Sequence, residues 1–280
     1  MRFIKMEGAG NDYVFVDLFD QPAPTDPARL SVAISNRHFG VGADGLIFIE
    51  PSTVADARMR MWNADGSEAE MCGNGIRCVA RYLFEQGRVG EKNIRIETKR
   101  GILTNRICFD VEEPDYVIGV SVEMGMPILR AEDIPTMLLG NPPIETSLTV
   151  EGRRFTVSAI SMGNPHCVIF AEHWTDEDVR HWGPLIEHHP AFPQRTNVEF
   201  VERISANECR IRVWERGSGV TLACGTGACA VVVAGVLAGR FSRGALCHMD
   251  GGDLSVGWTM DETVWLTGPA DEVFRGEWPE

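Results

Sequence analysis

Short runs in which most positions are apolar recur along the chain, separated by turns rich in glycine and asparagine. Tyr13 to Asp17, Leu46 to Ile49 and Ile94 to Glu97 read as strands in the first half. Val168 to Ala171, Val198 to Val201 and Arg210 to Trp214 do so in the second. Two segments carry helical patterns instead. Ile76 to Glu85 is stopped by Gly87, and Ala228 to Ala238 by Gly239. The second of these is apolar all round, which requires burial on every side. Strands wrapped around a central helix satisfy that requirement. The pattern therefore predicts an α/β (α+β) fold of curled, mostly antiparallel or mixed, barrel-like sheets around buried helices.

The chain repeats itself. Shifted by 152 positions, Met61-Trp62-Asn63 falls on Val213-Trp214-Glu215, and Met71-Cys72-Gly73-Asn74-Gly75 falls on Ala223-Cys224-Gly225-Thr226-Gly227. Five of the nineteen positions in 62–80 are identical to those in 214–232, where residue frequencies supply about one by chance. Phe48-Ile49-Glu50 likewise meets Phe200-Val201-Glu202, and at an offset of 153 Gly10-Asn11 meets Gly163-Asn164. Two similar domains related by a pseudo-twofold axis are expected, with a cleft between them. The Pro- and Gly-rich stretch from Glu112 to Pro143 holds the crossover. The expected domains are 1–117 and 118–262, with 263–280, including the strand-like run Thr263 to Leu266, returning to the first.

Composition narrows the functional classes. A net charge of -14, from 40 acidic and 26 basic residues with no basic run, argues against nucleic-acid or anionic-membrane partners. The N-terminus is too charged for a signal peptide. Val220 to Gly239 is twenty residues long without a formal charge, but Cys224-Gly225-Thr226-Gly227 interrupts it, and a buried core helix fits it better than a bilayer span. A cytoplasmic location is expected. The eight cysteines form no Cys-x-x-Cys pair and no zinc spacing, so no metal is expected. Most of them are expected to be small buried hydrophobes.

Gly40-Val41-Gly42-Ala43-Asp44-Gly45 matches the dinucleotide pattern G-x-G-x-x-G, with Asp65 twenty residues on. That motif needs a helix directly after the glycines. Leu46-Ile47-Phe48-Ile49 is strand, so a nicotinamide site is rejected.

The two Cys-Gly-x-Gly elements carry the strongest chemical signal. Each precedes a helix start, where backbone N–H groups lack intrahelical partners and glycines let a carboxylate approach them. The positive end of the helix dipole is expected to pull a cysteine pKa below about 8.5. One such cysteine could be a nucleophile, a redox thiol or a structural residue. Two in repeat-related positions suggest one base for each face of a carbon, as inversion of an amino-acid α-carbon requires. Without pyridoxal phosphate, the developing enediolate would be stabilised by the helix N-termini. Asn11, Asn63, Asn164 and Asn197 occupy repeat-related or motif-adjacent loops and read as substrate grips or as turn formers. Glu215-Arg216 replaces Asn63-Ala64 of the first half, so the halves differ chemically there. The pair could hold a second zwitterionic end or form a surface ion pair. His166 could adjust a thiol's proton or be a satisfied core histidine.

Gly8-Ala9-Gly10-Asn11-Asp12, Asn63 to Glu68, Cys72 to Cys78, Met162 to His166, Asn197 to Phe200, Glu215-Arg216-Gly217 and Ala223 to Cys229 together resemble the diaminopimelate epimerase family over essentially the full chain. The resemblance implies cofactor-independent interconversion of LL- and meso-diaminopimelate, on the route to lysine and peptidoglycan. It implies that Cys72 and Cys224 are the acid/base pair, and that the backbone at Gly73-Asn74 and Gly225-Thr226 holds the α-carboxylate. Asn63, Asn164, Asn197, Glu215 and Arg216 would grip the distal end and Asn11 the reacting amino group, with His166 and Glu215 tuning the thiols. The expected partners are this amino-acid substrate and a second copy of the chain in a homodimer. Gly45 stands where some family members carry glutamine, so a side-chain contact there is missing or replaced. A disulfide between Cys72 and Cys224 is an expected oxidised, inactive state.

Overall fold

A computed structural model describes residues 1–279. The chain divides into two compact units, one formed by Met1–Glu123 with the chain from Thr267 onward and the other by Met124–Leu266. In the first unit the strands lie in the order Asp271–Glu277, Arg2–Gly8, Asn11–Asp17, Gly45–Glu50, Ala57–Asn63, Asn93–Thr98, Gly101–Phe109, Val117–Gly125. Neighbours are antiparallel at all but two places: Asn11–Asp17 with Gly45–Glu50, and Ala57–Asn63 with Asn93–Thr98. Parallel neighbours need a crossover, and a helix spans each one. These are α1 (Pro27–Ser35) and α2 (Gly73–Glu85).

The second unit repeats the scheme. Its strands run Thr146–Val150, Arg153–Ser161, Pro165–Ala171, Asn197–Ser205, Glu208–Glu215, Gly244–Met249, Gly252–Trp258. The two parallel pairings again fall third and fifth, crossed by α3 (Asp176–Glu187) and α4 (Gly225–Leu237). The strand that returns to the first unit is Asp271–Glu277, paired with Arg2–Gly8. The run Thr263 to Leu266, expected to return, groups with the second unit, while the strand it begins, Val264–Gly268, pairs with Val117–Gly125 and its end from Thr267 belongs to the first.

Successive side chains of a strand face opposite ways, and here both faces are covered. In the first unit Val14, Val16, Leu46, Phe48 and Trp62 pack in one cluster with Ile34 of α1. The alternate residues Ile47 and Met59 face α2, where their side chains approach Gly75. In the second unit Val198 and Phe200 pack with Val179 and Ile186 of α3, while Glu199 of the same strand faces Gly227 of α4. This double cover explains strands that read as nearly unbroken apolar runs. The valines Val231, Val232 and Val233 of α4 are wholly buried, each stabilising the fold by about 1.5–3 kcal/mol.

Helices α1 and α3 were not predicted from periodicity, because their buried faces are short and partly polar: Ser31, Ile34 and Ser35 in α1, and Val179, Gly183, Ile186 and Glu187 in α3. Their start signals are present. Asp26 accepts from Arg29 N ahead of Pro27, and Thr175 with Asp178 closes a capping box.

Burial has a consequence for alkaline stability. Cys78 is pushed up to about 12, chiefly by burial, and burial also raises Cys167 and Cys224 well above the usual thiol value. Cys247 is raised by its contact with Cys209 and by burial. These thiols stay protonated in the folded chain when the unfolded chain has begun to ionise. Their contribution is full below about pH 8.5 and is lost as pH rises above it, by up to about 1.4 kcal/mol per pH unit per thiol. Urea midpoints should therefore fall between about pH 8 and about pH 10. Midpoints that do not move over that interval would contradict this account.

Candidate active site

In the first unit, Cys72 is extended (φ -131°, ψ 123°) and its Sγ accepts a hydrogen bond from Gly75 N at 3.4 Å, capping α2. The tyrosine hydroxyl of Tyr13 donates to the same sulfur at 3.4 Å. Beside it, Asn74 Nδ2 donates to Asn11 Oδ1 at 2.5 Å, and Asn11 Nδ2 donates to Asp44 Oδ2 at 2.9 Å. Arg37 holds both Asp44 and Asp12, and Lys5 adds a second cation on Asp12. Burial alone would raise the Asp12 carboxyl, but its bonds to Arg37 and Lys5 hold it below the usual carboxylate range. Asn11 thus sits on a braced charged platform. Asn63 Nδ2 donates to Ser67 Oγ at 3.0 Å in the neighbouring turn.

In the second unit, Cys224 (φ -130°, ψ 108°) caps α4 in the same way, with Gly227 N donating to Sγ at 3.4 Å. Thr226 Oγ1 lies 3.4 Å from that sulfur and accepts from Asn164 Nδ2 at 3.3 Å. His166 is wholly buried, with Nε2 3.1 Å from Asn164 Oδ1 and Nδ1 2.6 Å from Glu199 Oε1. Thr221 Oγ1 donates to Glu215 Oε1 at 2.5 Å. Asn197 joins Pro165 O and Arg216 N through its amide, and Arg216 Nη1 donates to Gln194 O at 3.0 Å. In both units the first-turn N–H groups after the cysteine lack intrahelical carbonyl partners, which makes each helix start a place for an anion.

The family model for diaminopimelate epimerase matches residues 3–129 and 158–273. The chain belongs to the diaminopimelate epimerase family. It is 51% identical to the diaminopimelate epimerase of Desulfitobacterium hafniense over 99% of this chain and 97% of that one. It is 49% identical to that of Moorella thermoacetica over 100% of this chain and 99% of that one. Solved structures with the same fold include a Bacillus anthracis phenazine biosynthesis protein of the PhzF family, with TM-score 0.70 and 16% identity over 100% of this chain and 99% of that one. A hydroxyproline epimerase from Agrobacterium vitis follows with TM-score 0.65 and 15% identity over 99% and 91%. At these identities the two structures speak to the fold alone.

One expectation is overturned within this diaminopimelate epimerase framework. Cys224 is not drawn below the usual thiol value. Burial pushes it well above, the carboxylates of Glu215 and Glu199 push the same way, and the bonds from Thr226 and Gly227 only partly offset them. The N–H of Gly227 at the helix terminus lowers it, but desolvation of a charged sulfur outweighs that bond.

Within each unit hydrogen bonds join some of the expected residues to one another, while others bond elsewhere. Asn11 and Asn74 join at the start of α2, and Asn164, His166 and Thr226 join around Cys224. Asn63 is tied to its own turn, and the Asn197 side chain is occupied in holding the Arg216 backbone. Gly45 opens a strand directly after the glycine turn, and a Cβ there would stand 2.2 Å from the Trp62 carbonyl oxygen. The strand therefore offers no side chain at that position.

Two contributors were missed in the sequence, Tyr13 and Glu199. The repeat could have found them. Tyr13 is the counterpart of His166 at the offset of 153, and Glu199 of Ile47 at 152.

Proposed function

We propose that this chain interconverts LL- and meso-diaminopimelate by moving the α-proton between Cys72 and Cys224, without a cofactor. The observation that carries the reading is the twofold occurrence of one device: a cysteine sulfur capping a helix whose first turn is Gly-x-Gly. Family membership supplies the substrate. One thiolate removes the α-proton and becomes a thiol. The other thiol delivers its proton to the opposite face and becomes a thiolate, so the carbon is inverted and the proton count is unchanged. In the reverse direction the roles exchange. Cys224, held protonated at neutral pH by its buried surroundings, is the donor in one direction of turnover.

The negative charge that develops on the substrate carboxylate meets the bare N–H groups at Gly73-Asn74 and Gly225-Thr226. Asn11 receives the reacting amino group. Asn63, Asn164, Asn197, Glu215 and Arg216 hold the distal end, with Glu215 also raising the proton affinity of Cys224. His166 acts on the same thiol through Asn164 and Thr226. The assembly is a homodimer in the cytoplasm.

The test is incubation of the reduced chain with LL-diaminopimelate in deuterated water, without pyridoxal phosphate, followed by NMR. Loss of the α-proton signal with appearance of the meso isomer is expected. Arg216→Ala should lower kcat/KM for this substrate on the order of a hundredfold, the worth of a charge-assisted carboxylate contact. Turnover left intact by that change, or absence of exchange by folded and reduced protein, would redirect the reading to another amino acid, proline first.

A further inference from the structure

The geometry points to Glu199 as a positioning residue that keeps the proton on Cys224, an inference that rests on the reading of Cys224 as one of the two acid–base thiols. Glu199 lies on the strand Asn197–Ser205 and is wholly buried. Its Oε1 stands 2.6 Å from His166 Nδ1, while Oε2 is buried with no hydrogen-bond partner among the described residues. A buried carboxyl oxygen without a partner costs stability. The other oxygen depends on a bare glycine: a Cβ on Gly227 would lie 2.9 Å from Glu199 Oε1 and 3.3 Å from Cys224 Sγ. The carboxyl and the sulfur thus approach the same bare α-carbon, and the backbone N–H of that glycine donates to the sulfur at 3.4 Å.

The first unit carries the same glycine and cysteine without the charge. At the counterpart of Glu199 stands Ile47, whose Cδ1 would lie 2.6 Å from a Cβ on Gly75. At the counterpart of His166 stands Tyr13, which donates directly to Cys72 Sγ. The repeat has kept the helix start and changed the residues beneath the sulfur. That difference has a chemical use. A two-base inversion begins with one sulfur bearing a proton and the other not, so two identical environments would serve it poorly. A buried carboxyl beside Gly227 offsets the positive end of α4 and disfavours a second negative charge on Cys224.

The other titratable groups around Cys224 are Glu215, which raises its proton affinity more than Glu199 does, and His166, linked through Asn164 and Thr226. Cys167, on the strand beside Glu199, is itself raised by burial and by that carboxyl.

Glu199→Gln removes the charge and keeps an oxygen for His166. The readout is the pH dependence of iodoacetamide alkylation, followed at Cys224 by peptide mass spectrometry with Cys72 as internal reference. The Cys224 midpoint is expected to fall by about one pH unit, with alkylation about tenfold faster below both midpoints. The Cys72 midpoint should stay in place, and Glu199→Asp should remain close to the unaltered chain. An unmoved Cys224 midpoint in folded E199Q overturns the inference. Alkylation needs no substrate, so this outcome is independent of whether diaminopimelate is turned over. Should E199Q not fold, NMR of the unaltered chain with 15N-labelled histidine decides. A proton on His166 Nδ1 is expected, and an Nδ1 without one overturns the inference.

Discussion

Replacing either Cys72 or Cys224 by alanine is expected to reduce formation of meso-diaminopimelate by at least about a thousandfold. A positioned acid or base contributes roughly 10²–10⁴ in rate, and inversion needs one on each face of the carbon. The stability change should be small by comparison. Each sulfur also caps a helix, through Gly75 N or Gly227 N, and loss of a cap costs about 1 kcal/mol. Serine separates the two effects. Its oxygen can accept the capping bond, so urea stability should recover, but a hydroxyl is a far weaker acid and turnover should stay low. Inversion rates measured for the alanine and serine variants, alongside their unfolding midpoints, check both halves of the argument. A Cys224→Ala chain within tenfold of the starting activity would rule out the two-thiol mechanism.

A valine at Gly235 should cost about 3 kcal/mol, the upper range for overpacking a filled core. Gly235 lies within α4, and a Cβ there would fall 2.1 Å from Phe241 Cδ2 and 2.7 Å from its Cε2. The ring cannot easily withdraw. The backbone N–H groups of Arg240 and Phe241 both donate to the Gly235 carbonyl, and the ring packs edge-on against Phe170 at 5.7 Å. Alanine should also destabilise, by less, since its better helix propensity returns about 1 kcal/mol. Phe241→Leu in the same chain should recover part of the loss, so that the double variant is more stable than additivity allows. Urea unfolding of the single and double variants measures this. Strict additivity would show that the contact between Gly235 and Phe241 is not the cause.

Much of the site is local in sequence and was legible for that reason. The two Cys-Gly-x-Gly helix starts and the strand over Arg210 to Trp214 are set within a few residues, where turn chemistry and apolar patterning act directly. The strand Ala57–Asn63 ahead of Cys72 instead alternates with arginines and is not predicted. The repeat added the relation between the halves, because two copies of one pairing scheme impose one order of strands and helices. Apolar periodicity puts the buried helix starts at Ile76 and Ala228, whereas the helices begin at Gly73 and Gly225. Low helix propensity at those glycines is overridden by the sulfur cap.

The fold class, the presence of the two buried helices and the pair of cysteines are legible in the chain alone, since each follows from short-range propensity, apolar periodicity or the repeat. The environment of those cysteines is set by packing across the fold. The high proton affinity of Cys224 comes from burial and from Glu215 and Glu199. Glu199 reaches its place through a parallel strand pairing, between Pro165–Ala171 and Asn197–Ser205, that closes across α3. Desolvation and the charges around a buried sulfur depend on residues brought together across such distances, and no local pattern in the chain records them.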